Sequence, residues 1–185
     1  TNGQVIIEEG KRIAVLKQDQ FAYDDYQVLE TVIVGHKALY DVYAERNRLY
    51  AKDDMTDDEG MRIGELEEQF SDMDGYTAES DASIMLMDLG IPEELHEKKM
   101  SELDSGEKIR VLLAQALFGN PDILLLDEPT NQLNYTTIEW LENYLLEFQN
   151  LVIVVSHDRH FLNKVCTHIA DVDYGNIKIY PGNYN

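Results

Sequence analysis

The chain has 185 residues, a length that fits one domain or one domain carrying an insertion. Apolar residues make up 44% of the sequence and charged residues 28%, so the chain can bury a core and does not belong to the disordered class. The formal net charge of −21 argues against unaided binding to nucleic acid or to an anionic membrane surface, because phosphate contacts need clustered lysine and arginine.

The first quarter of the chain contains two short apolar runs, over residues 5–7 and 13–16, with Glu-Glu-Gly-Lys between them. We expect two strands joined by a turn. From Val28 the apolar residues recur at spacings of three and four, which predicts one amphipathic helix up to about Ala51. If unbroken, that helix would be about 35 Å long at a rise of roughly 1.5 Å per residue.

The middle third of the chain is strongly acidic. Residues 53–107 hold 3 basic and 19 acidic residues, a net charge of −16. Thr56 and Glu59 form a capping-box pattern that predicts the start of a second helix, whose apolar residues have the 3-4-3 spacing typical of a two-helix hairpin. A third helix is predicted over residues 78–89, and a shorter turn or helix follows it.

Helices and strands alternate in the last third of the chain. Because the two strands that follow Gly106 are fully apolar, we expect a parallel sheet with helices on both faces. The expected elements are a helix over 109–117, a strand over 123–126, a helix over 138–148, a strand over 151–155, a helix over 161–165, and a hairpin of strands 169–172 and 177–180 about Tyr174.

These patterns divide the chain into two parts. Residues 1–34 and 106–185 are expected to form an α/β core, and residues 35–105 an all-helical subdomain that includes a short helical-hairpin insertion. The single cysteine, Cys166, excludes an internal disulfide and is typical of a reducing compartment.

The strongest chemical signal is the pair Asp127 and Glu128, which directly follows the apolar strand 123–126. The pair is expected at the carboxyl edge of the sheet, where open α/β folds bind ligands. It resembles a Walker B element, which implies that Asp127 helps to hold Mg²⁺ and that Glu128 orients or deprotonates an attacking water. The alternative is a strand that ends in solvated acids.

Other motifs surround this strand in a definite order. Gln18 follows an earlier strand, the run 103–108 opens the preceding helix, Pro-Thr-Asn-Gln-Leu-Asn occupies 129–134, and His157 follows the next strand. This order resembles the nucleotide-binding domain of ATP-binding-cassette (ABC) proteins. The resemblance extends from Gln4 to Tyr184 and is closer to the ABC-F subfamily, which has no transmembrane domain and whose members act on the ribosome.

The resemblance implies a P-loop NTPase-like fold and a role for each matching residue. The acidic helical hairpin would be the arm insertion of the subfamily. The implied residues are Gln18 and Asp127 for Mg²⁺, Glu128 for the attacking water, His157 for the γ-phosphate, and Ser105, Gly106, Glu107 and Asn134 for ATP held by an opposite domain.

Blander interpretations of the same residues remain open. Gln18 fits an ordinary polar surface residue, and His157 fits a loop histidine before a helix. Ser156-His157-Asp158 is not a hydrolase triad, because adjacent residues cannot converge on one reacting atom. His157 and His160 lack a matching third ligand for a metal.

The signature loop departs from the Leu-Ser-Gly-Gly pattern of the family, since Asp104 and Ser105 occupy its second and third places. Asp104 and Glu107 can form a capping box of their own, which would occupy N–H donors that a phosphate needs. A carboxylate ~4 Å from a phosphate charge costs about 1 to 4 kcal/mol. We therefore expect a weakened composite ATP site. Asn134 stands where the family has Asp, and Gln132 where it often has His.

The phosphate-binding pattern Gly-x-x-x-x-Gly-Lys-Ser/Thr does not occur in these residues. By the resemblance, the chain would start just after that loop. We therefore expect weak or absent ATP binding by the chain alone, and an unpaired apolar edge on the strand 123–126.

The leading hypothesis is an incomplete first nucleotide-binding domain of a cytoplasmic ABC-F-type ATPase. The complete protein would bind and hydrolyse Mg-ATP between two cassettes and would act on the ribosome, without a membrane partner. The alternatives are a non-catalytic interaction module that uses the helical arm, and the ATPase subunit of a membrane transporter. The acidic charge indicates that this chain alone does not bind RNA.

Overall fold

The computed structural model describes residues 4–173 and 175–183, so that Tyr174 and Tyr184 lie outside the described residues. The chain forms two compact units. We call Thr1–Leu16 with Asp122–Asn185 the sheet unit, and Lys17–Pro121 the helical unit.

The order of elements is that of an α/β protein with a helical insertion. The helices are α1 (Val28–Ile33), α2 (Lys37–Tyr50), α3 (Asp57–Asp72), α4 (Ala78–Asp88), α5 (Ser105–Leu117), α6 (Tyr135–Glu147) and α7 (Arg159–Val165), and the strands are β1 (Ile13–Val15), β2 (Ile123–Asp127), β3 (Leu151–Val155), β4 (His168–Asp173) and β5 (Asn176–Pro181).

The sheet unit is built on three parallel strands in the order β1-β2-β3. All five residues of β2 pair with β3, from Ile123 opposite Leu151 to Asp127 opposite Val155. The prediction of a parallel sheet is confirmed. The expectation that the strand 123–126 has an unpaired edge is wrong, because β2 lies between two neighbours.

The sheet has one buried and one exposed apolar face. Successive side chains of a strand point to opposite faces, so Leu124 and Leu126 are buried while Val15 and Ile153 lie on the other face, 48% and 51% exposed. Leu151 and Val155 are exposed on that face too. The predicted cover on both faces is therefore incomplete within residues 4–173 and 175–183.

Only the second of the two strands predicted before Leu16 is formed. Residues 5–7 are not a strand, and Val5 and Ile6 are more than four-fifths exposed. β1 is instead anchored by Arg12, whose N–H donates to the Asp122 carboxylate and whose carbonyl accepts from the N–H of Ile123. A strand forms only where the backbone finds a hydrogen-bonding neighbour, and β1 has one in β2.

The helix predicted from Val28 to Ala51 is broken at Gly35 into α1 and α2. A Cβ on Gly35 would lie 1.9 Å from the backbone oxygen of Gln115, so only glycine allows α1 to end this close to α5. His36 then caps α2, because its Nδ1 accepts a hydrogen bond from the N–H of Leu39.

The two-helix hairpin is confirmed. The predicted capping box of Thr56 and Glu59 opens α3. Cross-hairpin ion pairs join α3 to α2, with Arg46 Nε 2.6 Å from a Glu67 carboxylate oxygen and Arg62 bonded to both carboxylate oxygens of Glu45. The hairpin is therefore stabilised by charged contacts as well as by its apolar seam.

The helical unit is larger than the predicted helical subdomain. α5 packs against α1 and α4, and the Gln115 side-chain amide donates to the Thr31 carbonyl at 2.8 Å. Residues 17–34 and 106–121 therefore group with the helices, whereas the sequence pattern assigned them to the core. No helix in the described part of the chain combines the length and apolarity needed to cross a membrane.

Candidate functional site

The carboxylates of Asp127 and Glu128 lie where β2 ends. Asp127 is the last residue of the strand and is exposed, while the side chain of Glu128 is 19% exposed. Glu128 has a left-handed backbone with φ 47°, and its N–H donates to the Val155 carbonyl at 2.7 Å. A left-handed non-glycine residue costs on the order of 1–3 kcal/mol, and the bond to β3 holds this conformation.

His157 lies beside Glu128. The backbone N–H of His157 is 3.4 Å from one Glu128 carboxylate oxygen, and its Nε2 is 3.6 Å from the other. The imidazole is otherwise fully exposed. The parallel pairing of β2 with β3 brings these two predicted residues together, since each follows the end of its strand.

The turn that carries His157 is fixed by its neighbours. The Asp158 carboxylate accepts hydrogen bonds from the N–H groups of His160 and Phe161 at the start of α7. Ser156 Oγ accepts from the Asp158 N–H. The hydroxyl and the carboxylate therefore serve the turn, which agrees with the exclusion of a hydrolase triad.

Asn134 caps α6. Its side-chain oxygen accepts hydrogen bonds from the backbone N–H and the hydroxyl of Thr137, at 2.9 and 3.0 Å. Gln132, two residues earlier, has a left-handed backbone with φ 63°. Asn and Asp are equally good caps, so Asn134 keeps the local structure while it lacks a carboxylate charge.

The signature loop, residues 103–108, leads into α5. Its own side chains cap the helix start, as the sequence predicted. Asp104 Oδ1 accepts from the N–H of Glu107 at 2.8 Å, and Glu107 Oε2 accepts from the N–H of Asp104 at 2.9 Å. Ser105 and Gly106 complete the first turn. One of the free N–H groups at this helix start is therefore already bonded to a carboxylate.

Gln18 is exposed and lies three residues beyond β1, in the helical unit with Ser105, Gly106 and Glu107. Asp127, Glu128, Asn134 and His157 lie in the sheet unit. Each unit therefore carries part of the set of predicted site residues. Within the sheet unit, Glu128 and His157 lie next to each other.

Sequence reasoning missed Lys108. Its side chain is 7% exposed, and its Nζ lies 2.6 Å from Asp24 Oδ1 and 4.9 Å from the centroid of the Phe21 ring. The signal was present, because Lys108 lies three and four residues before Val111 and Leu112, on the apolar face of this helix. A lysine on such a face needs a charge partner when it is buried.

Glu142 on α6 was missed as well. Its side chain is 5% exposed, Lys164 Nζ lies 2.6 Å from one carboxylate oxygen, and His160 Nδ1 lies 3.5 Å from the other. Hydrogen bonding to this carboxylate raises the pKa of Lys164. These contacts tie α7, the helix that follows His157, to α6.

The described residues contain no group of three or more His, Cys, Asp or Glu side chains that could hold a metal ion. A magnesium ion that bridges nucleotide phosphates needs only one or two carboxylates from the protein, because phosphates and waters fill its remaining positions. The exposed Asp127 carboxylate fits that requirement.

The chain resembles known proteins along nearly its whole length. A family model described as "ABC transporter" matches residues 1–131. The Bacillus subtilis protein named "Uncharacterized ABC transporter ATP-binding protein YkpA" is 58% identical over 99% of this chain, and "Probable ATP-binding protein YbiT" of Escherichia coli O157:H7 is 54% identical over 100% of it. "ATP-binding cassette sub-family F member 3" of Homo sapiens is 34% identical over 90%.

The chain covers 34%, 35% and 24% of these three relatives, about a third of their length or less. Two solved structures share the fold. A dimeric post-hydrolysis state of the ATP-binding cassette MJ0796, bound to ADP and Pi, has a TM-score of 0.59 at 20% identity, with 92% of this chain and 63% of that one covered. The ATP binding subunit of an ABC transporter has a TM-score of 0.62 at 15% identity, with 94% and 59% covered.

Proposed function

The chain belongs to the ABC transporter family, and from this membership we propose that it is part of an ABC-F-type ATPase that binds and hydrolyses Mg-ATP as the complete protein. The observation that carries the proposal is the Glu128–His157 pair at the carboxyl edge of the parallel sheet, directly after Asp127. Relatives named as ATP-binding proteins at 58% and 54% identity support it.

Glu128 would orient or deprotonate the attacking water. A carboxylate at this position orients the water or accepts its proton while the water oxygen bonds to the γ-phosphorus and the bond to the β-phosphate oxygen breaks. His157 would donate a hydrogen bond to the γ-phosphate from its exposed imidazole. When bound, Mg²⁺ would neutralise charge on the phosphates, with Asp127 and Gln18 as its protein contacts.

Ser105, Gly106 and Glu107 would contact ATP held by a second cassette, together with Asn134. A helix N-terminus suits an anion because its N–H groups point outward and its dipole is positive there. Asp104 opposes this role with its negative charge and its bond to the Glu107 N–H. We therefore infer a composite site of lowered affinity at this signature.

The proposal also includes ribosome binding and a cytoplasmic location. Both come to this chain only from its resemblance to the subfamily. A relative named as a sub-family F member supports the subfamily assignment. The net charge of −21 means that basic surface elsewhere in the complete protein would have to contact ribosomal RNA.

The decisive test is ATP hydrolysis by the full-length protein that carries this sequence. Glu128→Gln is expected to reduce the hydrolysis rate at the site of this cassette by about 10²-fold or more, the range for loss of a general base, while ATP still binds. The rate that remains would be that of the second cassette. Glu147→Gln, an exposed glutamate at the end of α6, is the matched control and is expected to hydrolyse ATP like the wild type. Equal rates for Glu128→Gln and the wild type would contradict the proposal.

A second candidate is a non-catalytic interaction module, which the Asp104 capping box favours because it competes with phosphate for the helix N-terminus. On that hypothesis the α2–α3 hairpin is the working surface. Absence of ATP hydrolysis by the full-length wild type, together with loss of function on deletion of the hairpin, would support the module instead.

A further inference from the structure

Lys108 carries a buried charge that the proposed reaction does not use. Its ammonium group is paired with Asp24, which precedes it by 84 residues, and it lies against the face of the Phe21 ring. A buried ammonium is tolerated only with a charge partner, and the contact with an aromatic face adds to the attraction. These contacts lie wholly inside the helical unit.

The pair joins two segments that both contain proposed site residues. Asp24 and Phe21 belong to the loop that follows Gln18, and Lys108 belongs to the turn of α5 that follows Ser105, Gly106 and Glu107. The proposed magnesium contact and the proposed phosphate contact are thus joined through one ion pair.

The rest of this loop is held differently at its two ends. At its far end, backbone carbonyls of Asp24 and Tyr26 accept hydrogen bonds from Ser101 and Met100. At its near end, side-chain contacts dominate, since Lys17 Nζ donates to the Tyr23 hydroxyl and the Phe21 N–H donates to Asp19. The contact of Lys108 with the Phe21 ring therefore connects α5 to the end of the loop that lies nearer to Gln18.

We propose that Lys108 is a positioning residue that couples the Gln18 loop to the first turn of α5, so that contact of α5 with a phosphate sets the position of Gln18. The inference rests on the proposed function for its catalytic consequence. The coupling itself is a property of the helical unit. Lys108 acts through Asp24 and Phe21 and is not itself placed to touch a nucleotide.

Amide hydrogen exchange on this 185-residue chain tests the coupling without any nucleotide. Lys108→Met keeps the length and apolar stem of the side chain and removes its charge. The amides of Phe21, Asp24 and Tyr26 are expected to exchange about tenfold faster, as for the loss of one charged hydrogen bond. Lys98→Met removes an exposed charge from the same unit and is expected to leave these rates unchanged.

A substitution at the partner residue, Asp24, controls for a folding defect in Lys108→Met. Asp24→Asn keeps α5 intact and is expected to speed exchange at Phe21 as Lys108→Met does, whereas Lys108→Arg keeps the charge and the aromatic contact and is expected to restore slow exchange. Unchanged exchange in both Lys108→Met and Asp24→Asn would overturn the coupling.

Steady-state kinetics on the full-length protein test the consequence for catalysis. Lys108→Met is expected to lower kcat about tenfold per nucleotide-binding site, with KM for ATP changed little and with recovery in Lys108→Arg. The rate is divided by the number of sites that bind nucleotide, so that unfolded molecules do not lower it. If Lys108 only stabilised the fold, kcat per site would therefore stay unchanged. An unchanged kcat per site would overturn the positioning role. If the wild type itself failed to hydrolyse ATP, the proposed function would fail, and the exchange rates would still decide whether the coupling exists.

Discussion

Asp104 and Glu107 bond to each other's backbone across the first turn of α5, each carboxylate accepting from the N–H of the other residue at 2.9 Å or less. This reciprocal bonding satisfies the N–H of Glu107 in the first turn and the N–H of the cap residue Asp104. It also places negative charge where the proposed function needs an anion to bind.

The first prediction concerns Asp104→Ser. Serine caps a helix about as well as aspartate and brings no charge. If a γ-phosphate binds here, removal of a carboxylate ~4 Å away relieves about 1 to 4 kcal/mol, so the full-length variant is expected to bind ATP at this composite site at least about fivefold more tightly. ATP titration of the variant and the wild type measures it, and an unchanged dissociation constant would show that Asp104 does not weaken the site.

Asp104→Ala is the matched control for the cap. It removes both the charge and the hydrogen bond to Glu107, so it is expected to lower the free energy of unfolding by about 1 kcal/mol, which Asp104→Ser does not. Chemical denaturation of the two variants separates the role of Asp104 in helix stability from its effect on phosphate.

The second prediction concerns Glu67, whose pKa is lowered to about 2 by hydrogen bonds from Tyr76, Arg46 and Tyr50. A carboxyl group with a depressed folded-state pKa contributes stability that is complete above its unfolded value of about 4.3 and is lost as the pH falls through the folded value. We expect the helical hairpin to lose stability between about pH 4.5 and pH 2 through this group.

Denaturation of Glu67→Gln and the wild type across that pH range checks it. The difference in free energy of unfolding between them is expected to shrink as the pH falls. Glu68→Gln, an exposed neighbour, is the control, and its difference from the wild type is expected to stay flat. A difference for Glu67→Gln that is independent of pH would rule out the stabilising role of its carboxylate.

Local sequence patterns were sufficient to predict those features of the fold that depend only on neighbouring residues. The capping boxes at Thr56 and Asp104 were predictable, because each needs only two residues three apart. The strands 123–126 and 151–155 were predictable from their unbroken apolar character. The place of Asp127 and Glu128 at the carboxyl edge followed from the expectation of a parallel sheet, whereas the approach of His157 to Glu128 became visible only with the pairing of β2 and β3.

Long-range relationships were not predictable in this way. The break at Gly35 depends on Gln115, and the burial of Lys108 depends on Asp24, about 80 residues away in each case. The central place of β2 depends on strand order, which the pattern within one strand does not encode.

The third prediction concerns the exposed sheet face. Leu151, Ile153 and Val155 lie on one face of β3, and each is more than half exposed. An apolar surface of this kind favours association. We expect the 185-residue chain to self-associate and to bind an apolar dye. Ile153→Thr keeps a β-branched residue and is expected to reduce both effects in sedimentation and fluorescence, whereas Val154→Thr on the opposite face is not. Equal behaviour of both variants would show that this face is not the surface that associates.

The fourth prediction compares two glycines in helical surroundings. Gly35→Ala places a methyl group 1.9 Å from the Gln115 carbonyl oxygen, so α1 and α5 have to separate, and we expect a loss of about 1–3 kcal/mol in the free energy of unfolding. Gly64 lies on α3, where an added methyl group would meet open space, so Gly64→Ala is expected to stabilise the chain by about 1 kcal/mol through helix propensity alone. The opposite signs separate steric contact from backbone entropy, because both variants make the same chemical change. Urea denaturation of the two variants measures the difference, and a stabilising Gly35→Ala would mean that α1 does not approach α5 this closely in solution.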